Sequence, residues 1–541
     1  MTNVQLMIAG ASQDDDDAQI ITSLAQEWGK RLPVLAELKL FKDGKERVGS
    51  DSVPSGGIDP DSAPVYAALR QLGVVNLARR ISESVTDRQQ PNGFRKVDDS
   101  SLKDTDADTM AKQCGLSFLF RRHLAPDKGD YGCSFGYVVE NNGKRYLKAL
   151  SPWECWMSED EDSAMLYTFS GRETRERISL FRIVRNDSGD ATEVYSRTAY
   201  RDGERTVTSL KDISAVAKLA EDKQSWDPGT NWSWEDSGKR TYDYALECES
   251  LPIVRLSTID GMGLFEPYIP MLKRIDREVF DRMCITMMQA FRQRAIIGEL
   301  PQTYSEDDAE VLEGTAEVGD PIDNSKRLAI GPAAMWQLPD GVEIWESQTA
   351  DTQSLQNLIN SDVKQLASAS GIPLDILSPD VQGSANGAEL KRETLKFKVS
   401  TMNELDAEAI VRMIRMAMIL DGNKDAADGD FEMVWKPMDS TSSLEQAQTG
   451  QLLYQSGLMA RRTVLTHRLG FTAQDVAEDD MNRMADQFDV SSTNANAAPM
   501  TGAVPPATGW NESAQSAEDG LTDSTTDTAD LAGDANGIEN A

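Results

Sequence analysis

The stretch from Gly371 to Asn423 constrains this chain more than any other, because it joins a breaker and a polar loop to one long uninterrupted helix. The breaker is Gly371-Ile372-Pro373, the loop runs from Ser378 to Gly387, and the predicted helix covers Ala388 to about Leu420 without proline or glycine. Asn386 followed by Glu389 reads as an N-terminal cap pair, and Gly422 reads as the stop. At 1.5 Å per residue such a helix is roughly 50 Å long, more than the diameter of a small domain. It must therefore cross several layers or several subunits. Its apolar stripe, Leu395, Val399, Met402, Leu405, Ala409, Met413, Met416 and Leu420, keeps steps of three and four. Beyond Ala409 the stripe widens with Ile410, Val411, Ile414, Met418 and Ile419, which predicts a distal half packed on nearly all sides. The proximal half, carrying Lys391, Arg392, Lys396 and Lys398, is predicted to stay partly wet.

The rest of the chain reads as helices at both ends of a β-rich middle. A helix from Ile20 to about Leu40 is interrupted at Pro33, and a glycine-rich linker, Ser50 to Gly57, follows. A second helix is predicted from Val65 to Arg88, a short one from Asp104 to Gln113, and a strand from Leu116 to Phe120. Between Gly132 and Leu210 the apolar period changes to two, with a hairpin at Asn141-Asn142-Gly143 and further strands at Met165–Phe169, Ile178–Val184, Glu193–Tyr200 and Arg205–Thr208. This is an antiparallel meander attached to helices, an α+β class. Trp226, Trp232 and Trp234 lie among polar residues without interleaved arginines, which points to loop packing or a subunit contact over stacking on bases.

A strand at Leu251–Val254 leads to a helix starting near Pro267 or Pro270 with the face Leu272, Ile275, Val279, Met283, Met287 and Phe291. A third long helix, Asp351 to Ser370, stops at Gly371. Between these two helices sits a β-rich insert, Arg292 to Gln348, so it tops a two-helix stalk. It holds a strand near Arg294–Gly298, a capped turn at Ser305 with Asp308, and a predicted hairpin of Met335–Leu338 with Val342–Trp345 turning on Pro339-Asp340-Gly341. After the long helix come a strand, Phe431–Trp435, and helices at Ser443–Tyr454, Leu458–Leu469 and Ala473–Phe488. From Asp489 onward there is no lysine or arginine and little aliphatic content, which predicts disorder.

With 541 residues the chain is expected to form two to four structural units. No apolar run approaches the roughly 18 residues needed to span a bilayer, and the N-terminus, followed by Asp14-Asp15-Asp16-Asp17, does not fit a secretory signal, so no membrane is expected and the cytosol is. Five scattered cysteines fit reduced thiols, and two histidines, His123 and His467, leave little for a histidine metal site or a catalytic triad. The formal net charge of −34 argues against a general DNA binder, whose affinity comes from neutralised phosphates. Two readings of that acidity stand: walls that repel a moving duplex, or solubility of a large assembly.

Motifs for chemistry are missing. There is no phosphate loop and no H-E-x-x-H, and Gly261-Met262-Gly263 lacks the third glycine of a dinucleotide fingerprint. The acidic runs Asp14–Asp17 and Glu159–Asp162 read as solvated loops with at most weak affinity for divalent ions. No catalytic residue, metal or cofactor is expected, and the chain is not expected to be an enzyme. The rival classes are a metal-dependent enzyme acting on a nucleotide or polysaccharide, and a capsid or scaffold protein without a channel.

The order of parts carries a resemblance. Asn76-Leu77-Ala78-Arg79-Arg80-Ile81 leads to Asn92-Gly93-Phe94-Arg95, and Leu251-Pro252-Ile253-Val254 precedes the stalk. Ser370-Gly371-Ile372-Pro373, Ser384 to Leu390, Gly457 to Thr463 and Leu469-Gly470-Phe471-Thr472 then follow in turn. In this the chain, from about Ile20 to Phe488, resembles tailed-bacteriophage portal proteins, in particular those of siphophages of Gram-positive hosts. The group's usual tryptophan near the start of the third wing helix has no counterpart around Thr109-Met110.

The resemblance implies a ring of identical subunits, typically twelve, at one capsid vertex of the virion, assembled in the host cytoplasm, through which double-stranded DNA is packaged and ejected. It implies an N-terminal arm at 1–19, a wing at 20–265, stem helices at 266–291 and 351–371, and a clip at 292–350. It further implies a tunnel loop region at 372–387, a long helix with the wing's return strand at 388–437, a crown at 438–488 and an acidic tail at 489–541. Gln382, Ser384, Asn386, Lys391 and Arg392 are then the candidates for lying near DNA, with pairing to Glu389 and Glu393 the other reading of the two cations. In the clip, Trp336, Asp340 and Trp345 are the candidates for contacting terminase or an adaptor. The implied partners are the terminase large subunit, the major capsid protein and a head–tail adaptor protein.

Overall fold

The computed structural model describes residues 8–9, 15–45, 63–97, 104–141, 144–290, 294–324, 342–346, 351–378, 385–424, 429–436, 443–465, 469 and 476–484. Its strands are β1 (Ile8–Ala9), β2 (Pro91–Lys96), β3 (Cys133–Asn141), β4 (Lys144–Leu150), β5 (Cys155–Met157), β6 (Ser163–Ser170), β7 (Arg175–Arg185), β8 (Ala191–Asp202), β9 (Trp232–Thr241), β10 (Ile253–Ser257), β11 (Arg294–Ile297), β12 (Glu343–Glu346) and β13 (Phe431–Trp435). Together with the helices they make a mixed α+β protein in two compact units, Met1–Met438 and Asp439–Ala541. Among the described residues no helix is long and apolar enough to cross a membrane.

Period-two patterning produces a six-stranded sheet in the order β1-β9-β8-β7-β6-β5, antiparallel except for the short β1 beside β9. Its alternating residues serve two separate cores. Met165, Tyr167, Ile178 and Leu180 enter the first, whereas Ala164, Leu166, Phe181 and Ile183 enter the second.

The first core is built on the helix Asp16–Asp43, which passes through Pro33 without the expected interruption. Proline removes the hydrogen bond to the carbonyl four residues back, and here that carbonyl, Gly29 O, accepts from the Trp226 N–H at 3.2 Å. Only glycine permits this approach, since a Cβ at position 29 would stand 2.5 Å from Trp226 O. Trp28 is fully buried beside it, its indole Nε1 donating to Pro152 O at 2.7 Å. Within the acidic run Asp16 is exposed, but Asp17 is buried and accepts from Tyr195 Oη at 2.7 Å and Arg182 Nη1 at 3.0 Å. Burial alone would raise its pKa, yet the hydrogen bonds from Tyr195, Arg182 and Arg197 hold it below the ordinary carboxylate range.

Several expected elements take another form. The predicted helix Val65–Arg88 is two helices, Ala63–Leu72 and Leu77–Thr86, because Gly73 packs against Phe280 and Asn76 turns left-handed (φ 49°) to cap Arg79 N. Leu116–Phe120 is helical rather than extended, one of the short apolar runs whose period alone does not separate the two. It opens a continuous stretch, Leu116–Leu119, a π turn Phe120–Leu124, and Ala125–Tyr131, which ends at Gly132 (φ 95°). Trp232 and Trp234 lie on β9 instead of in a loop, and Trp226 packs edge-on against Trp28 at 5.1 Å. The expected strand Arg205–Thr208 is absent; Thr206 N and Oγ1 donate to the buried Glu176 carboxylate at 2.7 and 2.8 Å.

The second core gathers the sheet β10-β3-β4, the pair β13-β2 and the distal half of the long helix, whose bounds are Ala385–Leu420. That helix lies directly on β3, where a Cβ at Gly136 would stand 2.0 Å from Met413 Sδ. It stops as expected, with Gly422 left-handed (φ 83°) and Asn423 N donating to Met418 O at 3.0 Å.

In the helix Ala125–Tyr131, burial pushes Asp127 up to about 6, with Lys42 opposing and Asp130 and Glu154 adding to the shift. A carboxyl raised in the fold favours folding below the unfolded pKa of about 4 and loses that contribution as pH rises to about 6. Asp127→Asn is therefore expected to gain about 1–3 kcal/mol at pH 8 and little at pH 4, read from melting at the two pH values.

The second unit holds the helices Ser443–Gln455 and Arg461–Thr463 and a helical run at 476–484, joined by Arg461 to Asp480 at 2.8 Å. Within the predicted ranges 458–469 and 473–488 these last two are the described helical parts, and the tail from Asp489 lies outside the described residues.

Candidate functional site

Two helices form the stalk. The first, Ile269–Ala290, follows a tight turn at Glu266–Tyr268 that accommodates Pro267, and the second, Thr352–Ser370, is capped by Asp351 accepting from Gln353 N at 2.9 Å. Gly371 ends it in the left-handed region (φ 67°). The helices run antiparallel: Arg274 pairs with Asp362 near the base, and Arg282 reaches Gln356 farther along. Arg277 pairs within its own helix with Asp281 at 3.0 Å, the self-paired surface that the charge pattern predicts.

Beyond the stalk, β11 and β12 pair antiparallel, with Trp345 opposite Ala295. Of the expected hairpin, the strand Val342–Trp345 is found as β12 (Glu343–Glu346), and its expected partner Met335–Leu338 lies outside the described residues. Two strands that prolong neighbouring antiparallel helices begin side by side, so the ends of the insert pair with each other. Residues 335–338, with Trp336 and Asp340, lie outside the described residues. Trp345 is 51% exposed, with Ile297 and Ile344 also open on this small sheet. Ser305 N donates to Asp308 Oδ2 at 2.7 Å, and Asp308 rather than Ser305 stands at the N-cap of the helical turn Ala309–Leu312.

At the stalk's foot, Ile372 is buried and a helical turn, Leu374–Leu377, follows Pro373. Gln382 and Ser384 lie outside the described residues. The long helix opens at Ala385, so Asn386 and Gly387 belong to its first turn and Asn386 is not its cap. Lys391 is on the helix backbone, and Arg392 donates to Asp375 Oδ2 at 2.8 Å, across to the preceding turn. Arg88 lies close by: burial, and then the like charge of Arg392, hold its guanidinium below its ordinary pKa.

The apolar stripe read from the sequence mounts the long helix on both cores. Leu395, Val399 and Met402 belong to the first core, and Ala409, Ile410 and Met413 to the second. At the seam Asp406, not Leu405, occupies the inward stripe; Leu405 is 45% exposed. Asp406 Oδ2 pairs with Lys128 Nζ, both side chains fully buried. Gln89 joins them, accepting from Lys128 Nζ at 3.1 Å and donating to Asp406 Oδ2 at 2.8 Å and Asn403 Oδ1 at 3.1 Å. Burial holds the Asp406 pKa up and the Lys128 pKa down, each opposed by its partner. The available signal was a carboxylate in step with Met402 and Ala409.

Among the described residues no group of three or more His, Cys, Asp or Glu side chains is arranged to hold a metal ion. Cys133 and Cys155 are buried thiols, the former pushed up to about 12 by desolvation, far from a reactive thiolate. No protein-family model matches the sequence, and no curated protein matches it.

Proposed function

We propose that the chain is the subunit of a portal-type ring, a passive channel at one capsid vertex through which double-stranded DNA enters and leaves. The observation that carries this reading is the antiparallel stalk, capped by the β11–β12 pair and followed at its foot by the helix Ala385–Leu420, in the order that the resemblance requires. A second support is the apolar surface a single copy leaves open along these parts: Ile297, Ile344, Trp345, Leu358, Phe397 and Leu405. Exposed apolar side chains that gather in a patch mark contact surfaces, and neighbouring copies around a ring would cover these.

In this reading the stalk helices form the stem, and the insert 292–350 forms the clip that docks the terminase large subunit and a head–tail adaptor. The motor is the terminase, and this chain hydrolyses nothing. The wing side meets the major capsid protein, so the protein resides in the virion. A conduit must not grip: contacts to 6–10 phosphates change affinity by roughly 10³–10⁵ between low and moderate salt, too adhesive for transport. Electron microscopy of the purified protein is expected to show flat rings with a central hole wide enough for a duplex. Persistent monomers or closed shells at assembly concentrations would contradict the reading.

A further inference from the structure

The π turn Phe120–Leu124 turns Phe120 and Leu124 into the core and leaves Arg121, Arg122 and His123 exposed in succession. An extra residue in a helical turn is rare and recurs at functional positions. Among the described residues neither Arg121 nor Arg122 has an ion-pair partner. Phe118 is 67% exposed one turn earlier, its ring edge-on to His123 at 6.4 Å, and it lines a groove of about 390 Å³ with Lys112, Gly93 and Met433. Arg121 acts on Asp87, whose neighbour Arg88 is itself next to Arg392. Cations therefore continue from the π turn to the foot of the long helix; Arg79 is paired with Glu83 and Arg392 with Asp375, which leaves Arg121, Arg122 and the half-buried Arg88 against Asp87.

Such a surface is unusual on a chain of net charge −34. Identical subunits of that charge repel one another, and a closed ring needs a heterologous contact, one patch against a different patch of the next copy. Exposed arginine around an aromatic anchor is the composition that interface cores favour. We propose that the face formed by Phe118, Arg121, Arg122, Arg88 and Arg392 docks against an acidic face of a second copy of this chain, and that this contact lets such acidic subunits assemble. The inference rests on the ring reading above and assigns that ring one of its two contact surfaces.

The test compares full-length protein with Arg121→Glu/Arg122→Glu, Arg121→Gln/Arg122→Gln and Arg121→Lys/Arg122→Lys by light scattering and electron microscopy. Wild-type assembly should weaken as salt rises above about 0.1 M, where the screening length is about 10 Å. The Glu pair should need about tenfold or more protein to assemble, the Gln pair less, and the Lys pair close to the wild-type concentration. These side chains are exposed, so melting temperatures should stay unchanged. Rings that form equally well with Glu overturn the assignment while leaving the ring reading intact. Intact Glu rings that retain less duplex DNA overturn it in favour of a phosphate contact. A wild-type chain that stays monomeric at every salt concentration overturns the ring reading itself.

Discussion

Lys128→Met is expected to destabilise the larger unit by about 3–5 kcal/mol, the range for removing one partner of a buried ion pair. Nζ of Lys128 satisfies Asp406 Oδ2 and Gln89 Oε1 where neither charged side chain meets solvent. Among the described residues Asp406 Oδ1 already lacks a hydrogen-bond partner. Without the ammonium, Asp406 must stay charged in an apolar seam or take up a proton, and both cost stability at neutral pH. The loss should shrink towards pH 4, where protonation of Asp406 becomes cheap. Lys128→Met with Asp406→Leu should recover most of the stability, since matched apolar replacements of buried pairs are often neutral or stabilising. Urea denaturation followed by circular dichroism reads all three proteins, and a single-variant loss under about 1 kcal/mol would contradict a charged pair.

Trp28→Ala is expected to cost about 3–5 kcal/mol. Its ring is enclosed by the edge contact from Trp226 at 5.1 Å and the tilted contact from Tyr167 at 5.6 Å, so truncation leaves a cavity between helix and sheet. It also strips Pro152 O of its donor. Trp28→Phe separates the two effects: it keeps most of the apolar volume and should lose about 1–2 kcal/mol. Equal losses from the two variants would show that the hydrogen bond, not the volume, dominates.

Much of this architecture was legible because it depends on local chemistry. The meander follows from period-two patterning, the end of the second stalk helix from Gly371, and the end of the long helix from Gly422. What escaped was decided by distant partners. Pro33 reads as a break until Trp226, far along the chain, supplies a donor to Gly29 O. Asp14 to Asp17 reads as a solvated run until β7 and β8 bring Arg182 and Arg197 to Asp17. Trp345, assigned to the insert, lies on a strand whose described partner is 294–297, a pairing of the insert's two ends that local sequence does not point to. Of the residues named for lying near DNA, Arg392 has a described partner, Asp375, on a segment that spacing along the helix does not point to.

The helix Ala385–Leu420 contributes side chains to both cores, and the six-stranded sheet divides its alternating residues between the same two. Neither core can therefore melt while the other keeps all its packing. Amide hydrogens on the distal helix and on β7 should exchange in one slow class, reporting a single cooperative opening instead of two independent ones. A displacement imposed at the foot of the stalk would then be carried as a rigid tilt of the whole rod, not absorbed by loosening at the seam.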